Sequence, residues 1–139
     1  MKFQFSLQSV LDVELQLEQL IDMKLAAAKA DLDAEKQKLA DLKNQVKNCL
    51  EEVSVSAVGD LHSVQSWKSF SAFMENAIET QKWTLSECQK IFAEIVKEKI
   101  RRKQRVEGLQ RLKENEQETF ELESRRTEQK KLLDSLLHR

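Results

Sequence analysis

Proline and tyrosine are absent from this chain, and glycine and cysteine occur only twice each among 139 residues. Proline and glycine punctuate sheets and tight turns, so their scarcity leaves too few corners for a globule built of many short elements. Two long helices fit the composition better. No run approaches the roughly 20 apolar residues that a membrane span requires. The N-terminal Met-Lys-Phe-Gln-Phe-Ser-Leu lacks the continuous apolar stretch of a signal peptide, so the cytoplasm is the expected compartment. Cys49 and Cys88 have no second cysteine or histidine at metal-ligand spacing, and a reducing compartment keeps both as thiols. They are expected to act as small apolar seam residues. Charge of neither sign prevails: Lys and Arg total 23 and Asp and Glu 24, so global attraction to nucleic acid or to an acidic membrane is lacking.

What is present is charge and helical periodicity. Charged residues make up 34% of the chain, and the 40% apolar share suffices for a narrow seam between helices rather than a thick core. In the first third, Leu7, Val10, Glu14, Leu17, Ile21, Leu25, Ala28, Leu32, Glu35, Leu39, Leu42, Val46, Cys49 and Val53 follow steps of three and four, the spacing of a coiled-coil seam. Two successive steps of four at Leu17, Ile21 and Leu25 mark a slip of phase. The pattern predicts a helix over about 5–52. It breaks at Ser54-Val55-Ser56-Ala57-Val58-Gly59-Asp60, where hydroxyl and β-branched residues disfavour helix and Gly59 permits a positive φ. A turn is expected over about 54–62, with Asp60 or Ser63 capping a second helix over about 63–136.

In that second helix Trp67, Phe70, Met74 and Ile78 share one face. The seam continues through Leu85, Cys88, Phe92 and Ile95, falters at Lys99 and Arg102, and resumes at Val106, Leu109, Leu112 and Phe120. Lys97 to Arg105 carries six positive residues and one negative; Glu114 to Glu123 carries five negative and none positive. Because the basic block covers the stretch where the seam weakens, Lys97, Lys99, Arg101, Arg102, Lys103 and Arg105 form a candidate patch for an acidic protein partner. One helix, a corner and a longer helix imply a single all-α domain: a long, elongated antiparallel two-helix coiled-coil hairpin. The longer arm leaves Leu132, Leu133, Leu136 and Leu137 exposed at its tip, as binding sites on rods are. Phe3 and Phe5, at alternate positions ahead of the heptads, do not serve a helical seam, which points to a contact outside the hairpin.

The opening Phe3-Gln4-Phe5-Ser6-Leu7-Gln8-Ser9-Val10-Leu11-Asp12-Val13 resembles the N-terminal signature of FliJ, the small stalk protein of the bacterial flagellar export apparatus. The segment Trp67, Phe70, Met74 and Ala77-Ile78-Glu79, and the basic stretch followed by Glu128-Gln129-Lys130-Lys131, are similar to the family's middle and C-terminal segments. This resemblance implies a hairpin like the paired terminal helices of the rotary-ATPase γ subunit. It further implies that the end carrying both termini enters the central hole of a hexameric export ATPase, while another region reaches the cytoplasmic domain of the export gate and the protein also handles export chaperones. Carried over to this chain, the gate contact falls on Trp67, Phe70 and Met74. The ATPase-facing end falls on Phe3, Phe5, Leu7, Val10, Leu11, Lys130, Lys131 and Leu133. The expected location is cytoplasmic, held peripherally at the inner membrane through the apparatus.

No catalytic residues, metal site or cofactor are expected: the sequence has no glycine-rich phosphate loop, and its two histidines, His62 and His138, lack a catalytic context. Nucleic acid is disfavoured as a partner because the basic block is short, has no interleaved aromatics and is followed by acids that repel phosphate. Two alternatives stay open at the level of sequence, the equivalent stalk of a virulence-type injectisome and a generic homodimeric coiled-coil scaffold.

Overall fold

A computed structural model describes residues 2–56 and 61–138. Among these residues the chain forms two α-helices, α1 (Gln8–Ser56) and α2 (Leu61–Leu137), packed against each other without a strand, an all-α helical hairpin. Helix α1 starts later than the seam pattern suggests. Residues 2–5 lie outside it, and the Phe5 carbonyl accepts the Gln8 N–H at 3.1 Å as the first turn is entered. At its other end α1 continues through Ser54, where the expected break does not occur. The Ser54 hydroxyl donates to the Glu51 carbonyl at 2.8 Å, so the side chain satisfies itself against the preceding turn without unwinding it. Gly59 and Asp60, the expected corner and cap, lie outside the described residues, as does the side chain of Ser63.

The contacts gather into two compact units: a terminal unit, Met1–Asp22 with Glu98–Arg139, and a middle unit, Met23–Lys97. In the terminal unit the helices run antiparallel. Phe3 meets Phe120, Ser6 meets Glu116, Glu14 meets Arg102, and Asp22 meets Lys99, so residues advance along one segment as they retreat along the other. In the middle unit Gln81 donates to the Glu35 carbonyl at 3.0 Å and also to the Glu35 carboxylate.

Two helices share only one seam, so the core is a single file: Phe5, Leu11, Ile21 and Val106 in the terminal unit, Leu32 and Met74 in the middle unit. Each such side chain, taken from water, contributes about 1.5–3 kcal/mol. Along α1 every expected seam position from Glu14 to Val53 is buried or half-buried. Leu17 and Glu18 are both half-buried, so the slip of phase is shared between neighbours. At the start of α1 the expected residues give way: Leu7 and Val10 are exposed, and Phe5 and Leu11 occupy the seam in their place. In α2, Leu112 turns outward and the stem of Lys113 is half-buried instead.

Gly108 stands in the middle of α2, where an added Cβ would meet nothing within 4 Å. A glycine inside a helix costs about 1 kcal/mol relative to alanine, and no packing within the chain requires it here.

Candidate functional site

The N-terminal segment is held against α2 by its two phenylalanines. The Phe5 side chain is 6% exposed and clusters with Leu11 and Val106, with Phe3 and Leu109 packed alongside. The Phe3 ring lies 5.6 Å from that of Phe120, tilted by 52°, a favourable aromatic geometry. The Ser6 hydroxyl donates to the Glu116 carboxylate at 3.2 Å. Non-helical backbone explains why heptad counting failed here: residues 2–5 lie outside α1, so helical spacing does not govern which of their side chains reach the seam, and both Phe3 and Phe5 do. The expectation that they do not serve the seam is therefore corrected: both pack within the chain. Shallow clefts flank the segment on both sides, one bordered by Lys2, Asn115, Thr119 and Glu123, the other by Gln8, Lys113 and Gln117.

Two turns further on, a charged cluster interrupts the apolar seam. Glu14 is 9% exposed overall, and its carboxylate accepts from Arg102 Nη1 at 3.0 Å and lies 3.6 Å from Arg105 Nη1. Lys99 Nζ is 2.8 Å from an Asp22 oxygen. The weakening of the α2 seam at Lys99 and Arg102 thus has an internal cause: acids on α1 face it. Three members of the basic block are engaged within the chain, whereas Lys97, Arg101 and Lys103 face solvent. Burying Glu14 without its arginines would leave an uncompensated carboxylate, so a shift of register that separated them would be costly.

In the middle unit, Trp67 and Phe70 are half-buried, with ring centroids 6.0 Å apart, and Met74 is only 4% exposed. Met74 is thus a seam residue whose surface is already covered. The neighbouring Phe73, which the sequence did not single out, is 70% exposed and displays its ring to solvent. Its signal was available as an aromatic off the heptad phase. Glu35, also in this unit, holds its carboxyl below the usual value of 4.5, chiefly through the hydrogen bond from Gln81 and then that from Lys38.

Beyond Phe120, α2 runs on to Leu137 with every residue exposed except half-buried Ser124. Lys130, Lys131 and Leu133 stand on this stretch with Leu132, Leu136 and Leu137, and the four leucines occupy steps of one, three and one, a single helical face. Of the residues expected at the ATPase-facing end, the structure brings Phe3, Phe5 and Leu11 together in the seam. Leu7 and Val10 are at the surface nearby, and Lys130, Lys131 and Leu133 have no seam contact.

Among the described residues no group of three His, Cys, Asp or Glu side chains is placed to hold a metal ion, and no helix is long and apolar enough to cross a membrane. Cys49 and Cys88 are half-buried free thiols at seam positions. The arrangement offers surfaces: an apolar helical tip, an exposed aromatic, and arginines beside an apolar seam.

No curated protein and no solved structure matches the chain significantly. A family model described as flagellar FliJ protein matches residues 2–137, nearly the whole length. The chain belongs to the flagellar FliJ family, a component of flagellar protein export.

Proposed function

We propose that the protein is the stalk of the export apparatus, a rod that enters the hexameric export ATPase at its terminal unit and reaches the cytoplasmic domain of the export gate through its middle unit. The observation that carries this proposal is the family match over residues 2–137 on a chain whose two helices pair with each other. An exposed apolar tip on α2 supports it, because Leu132, Leu133, Leu136 and Leu137 stand open to a partner. On this view Lys130, Lys131 and the four leucines meet the ring directly. Phe3, Phe5 and Leu11 shape that end by clamping the N-terminal segment, and Leu7 and Val10 border it.

The gate contact centres on Trp67 and Phe70, with Phe73 supplying the exposed ring and Met74 supporting the segment from beneath. Large apolar residues displayed within one or two turns are how a helix anchors in a groove. Export chaperones are further partners, and the protein works at the cytoplasmic face of the inner membrane through the apparatus, without inserting into the bilayer or binding nucleic acid. An asymmetric rod in a symmetric ring touches its subunits unequally, which couples their nucleotide states to its orientation. The test is bridging: beads carrying purified export ATPase should retain the gate's cytoplasmic domain only when the protein is added. Retention without it, or no retention with it, overturns the proposal.

A further inference from the structure

The two broad sides of the terminal unit differ in kind. Because its helix segments are antiparallel, residues displaced from the seam in the same helical sense on each of them come to the same side. The contact of Glu14 with both Arg102 and Arg105 shows which side that is on α2. On it α1 presents Val10, Val13 and Leu20, which are 44%, 53% and 53% exposed, and α2 presents Leu112, Gly108, Arg105 and Arg101. The opposite side is polar, with Gln8 bonded to Asp12 at 2.8 Å and Lys103, Glu107 and Gln110 across from them; Leu15 and Ile100 are its apolar exceptions.

From this asymmetry we infer that the Val10, Val13, Leu20 side of the terminal unit is a docking groove for an acidic amphipathic helix of another protein. Three independent features select that occupant. The apolar residues recur at steps of three and seven, the repeat that a helix laid alongside would match. Gly108, whose missing side chain meets nothing inside the chain, opens a notch where a second backbone can approach closely. Arg101 has no ion pair among the described residues and Arg105 is 68% exposed at the side chain, so the margin on α2 is cationic and favours glutamates on the incoming helix. This groove is distinct from the leucine tip and from Phe73; Val10, at one end of it, also borders the ring-facing end, and the peptide test below requires neither the ring nor the gate.

The test uses the full chain and a labelled amphipathic peptide of about 20 residues, long enough to be helical when docked, with leucines at seam positions and glutamates beside them. A twin peptide carries lysines in place of the glutamates. Fluorescence anisotropy should show the acidic peptide bound at least about tenfold more tightly than its basic twin, a preference that falls with added salt. Gly108→Leu, which favours helix and whose Cβ would meet nothing within 4 Å inside the chain, should weaken binding by about tenfold or more with helicity retained. Val13→Asp should do the same, and Leu15→Asp on the opposite side should leave binding unchanged. Equal binding of the two peptides, or wild-type affinity in Gly108→Leu, overturns the inference. So does a concentration-dependent dimer dissolved by Val13→Asp, since a second copy would then be the occupant.

Discussion

The Glu14 carboxylate and the Arg102 guanidinium meet at 3.0 Å inside the seam, the side chains 12% and 25% exposed, with Arg105 3.6 Å away on the same acid. They are the polar step in a line otherwise filled by Phe5, Leu11, Ile21 and Val106. Removing one partner strands the other, whereas replacing both with apolar residues restores a continuous seam. Glu14→Leu should therefore lower stability by about 2 kcal/mol, less than a fully buried pair because both arginines retain access to water. The double variant Glu14→Leu/Arg102→Leu should recover most of that loss. Thermal melts followed by circular dichroism measure both; equal destabilisation of the single and double variants would show that the pair is not coupled.

The phenylalanine clamp predicts an unequal pair of losses. Phe5 is buried among Leu11 and Val106, so Phe5→Ala should cost about 3 kcal/mol, in the range of large-to-small core changes. Phe3, packed on the edge against Phe120, should cost about 1 kcal/mol when truncated. Urea titration gives both values, and a Phe3→Ala loss exceeding that of Phe5→Ala would contradict the clamp.

Acid should loosen the middle unit in part through Glu35. Its folded-state pKa is depressed by Gln81 and Lys38, so its contribution is present above the ordinary value of 4.5 and is lost as pH falls through the lower folded value. Stability tied to this group thus declines from about pH 4.5 downward. Glu35→Gln should show a shallower fall in melting temperature over that range than the wild type. Parallel curves would remove Glu35 from the acid response.

The leucine tip predicts binding without stability. Leu132, Leu133, Leu136 and Leu137 are 59–80% exposed, and surface changes of this kind usually shift stability by less than about 0.5 kcal/mol each. Changing all four to serine should leave the melting temperature nearly unchanged and weaken binding to the export ATPase by about tenfold or more. Unchanged affinity would place the ring contact elsewhere on the terminal unit.

Most of the helical architecture is legible in the sequence because heptad spacing is a direct consequence of helix geometry. From Glu14 to Val53, and from Trp67 to Ile95, every residue expected at seam phase is buried or half-buried, with others such as Glu18 and Gln81 half-buried beside them. Counting fails where the backbone is not helical, as at Phe3 and Phe5, which reach the seam from outside α1. It fails again around Lys113, where the seam shifts by one residue and a charged side chain lends its stem while Leu112 turns outward. The basic block was legible as a cluster but not as a set of partners, because Glu14 and Asp22 lie far from it in sequence and only the pairing of the helices brings them across. Ser54 misled for a local reason, since its hydroxyl bonds back to Glu51 and the helix passes through it. At the candidate gate contact the sequence marked the segment without distinguishing the covered Met74 from the displayed Phe73.

A two-ended stalk is distinguished from a single contact surface by measuring Phe73→Ala and the four-serine tip variant side by side, by surface plasmon resonance, against the purified export ATPase and the gate's cytoplasmic domain. Such a stalk should show a double dissociation: Phe73→Ala loses the gate and keeps the ATPase, and the tip variant loses the ATPase and keeps the gate. Loss of both partners in either variant at unchanged helicity, or loss of neither in both, would contradict it.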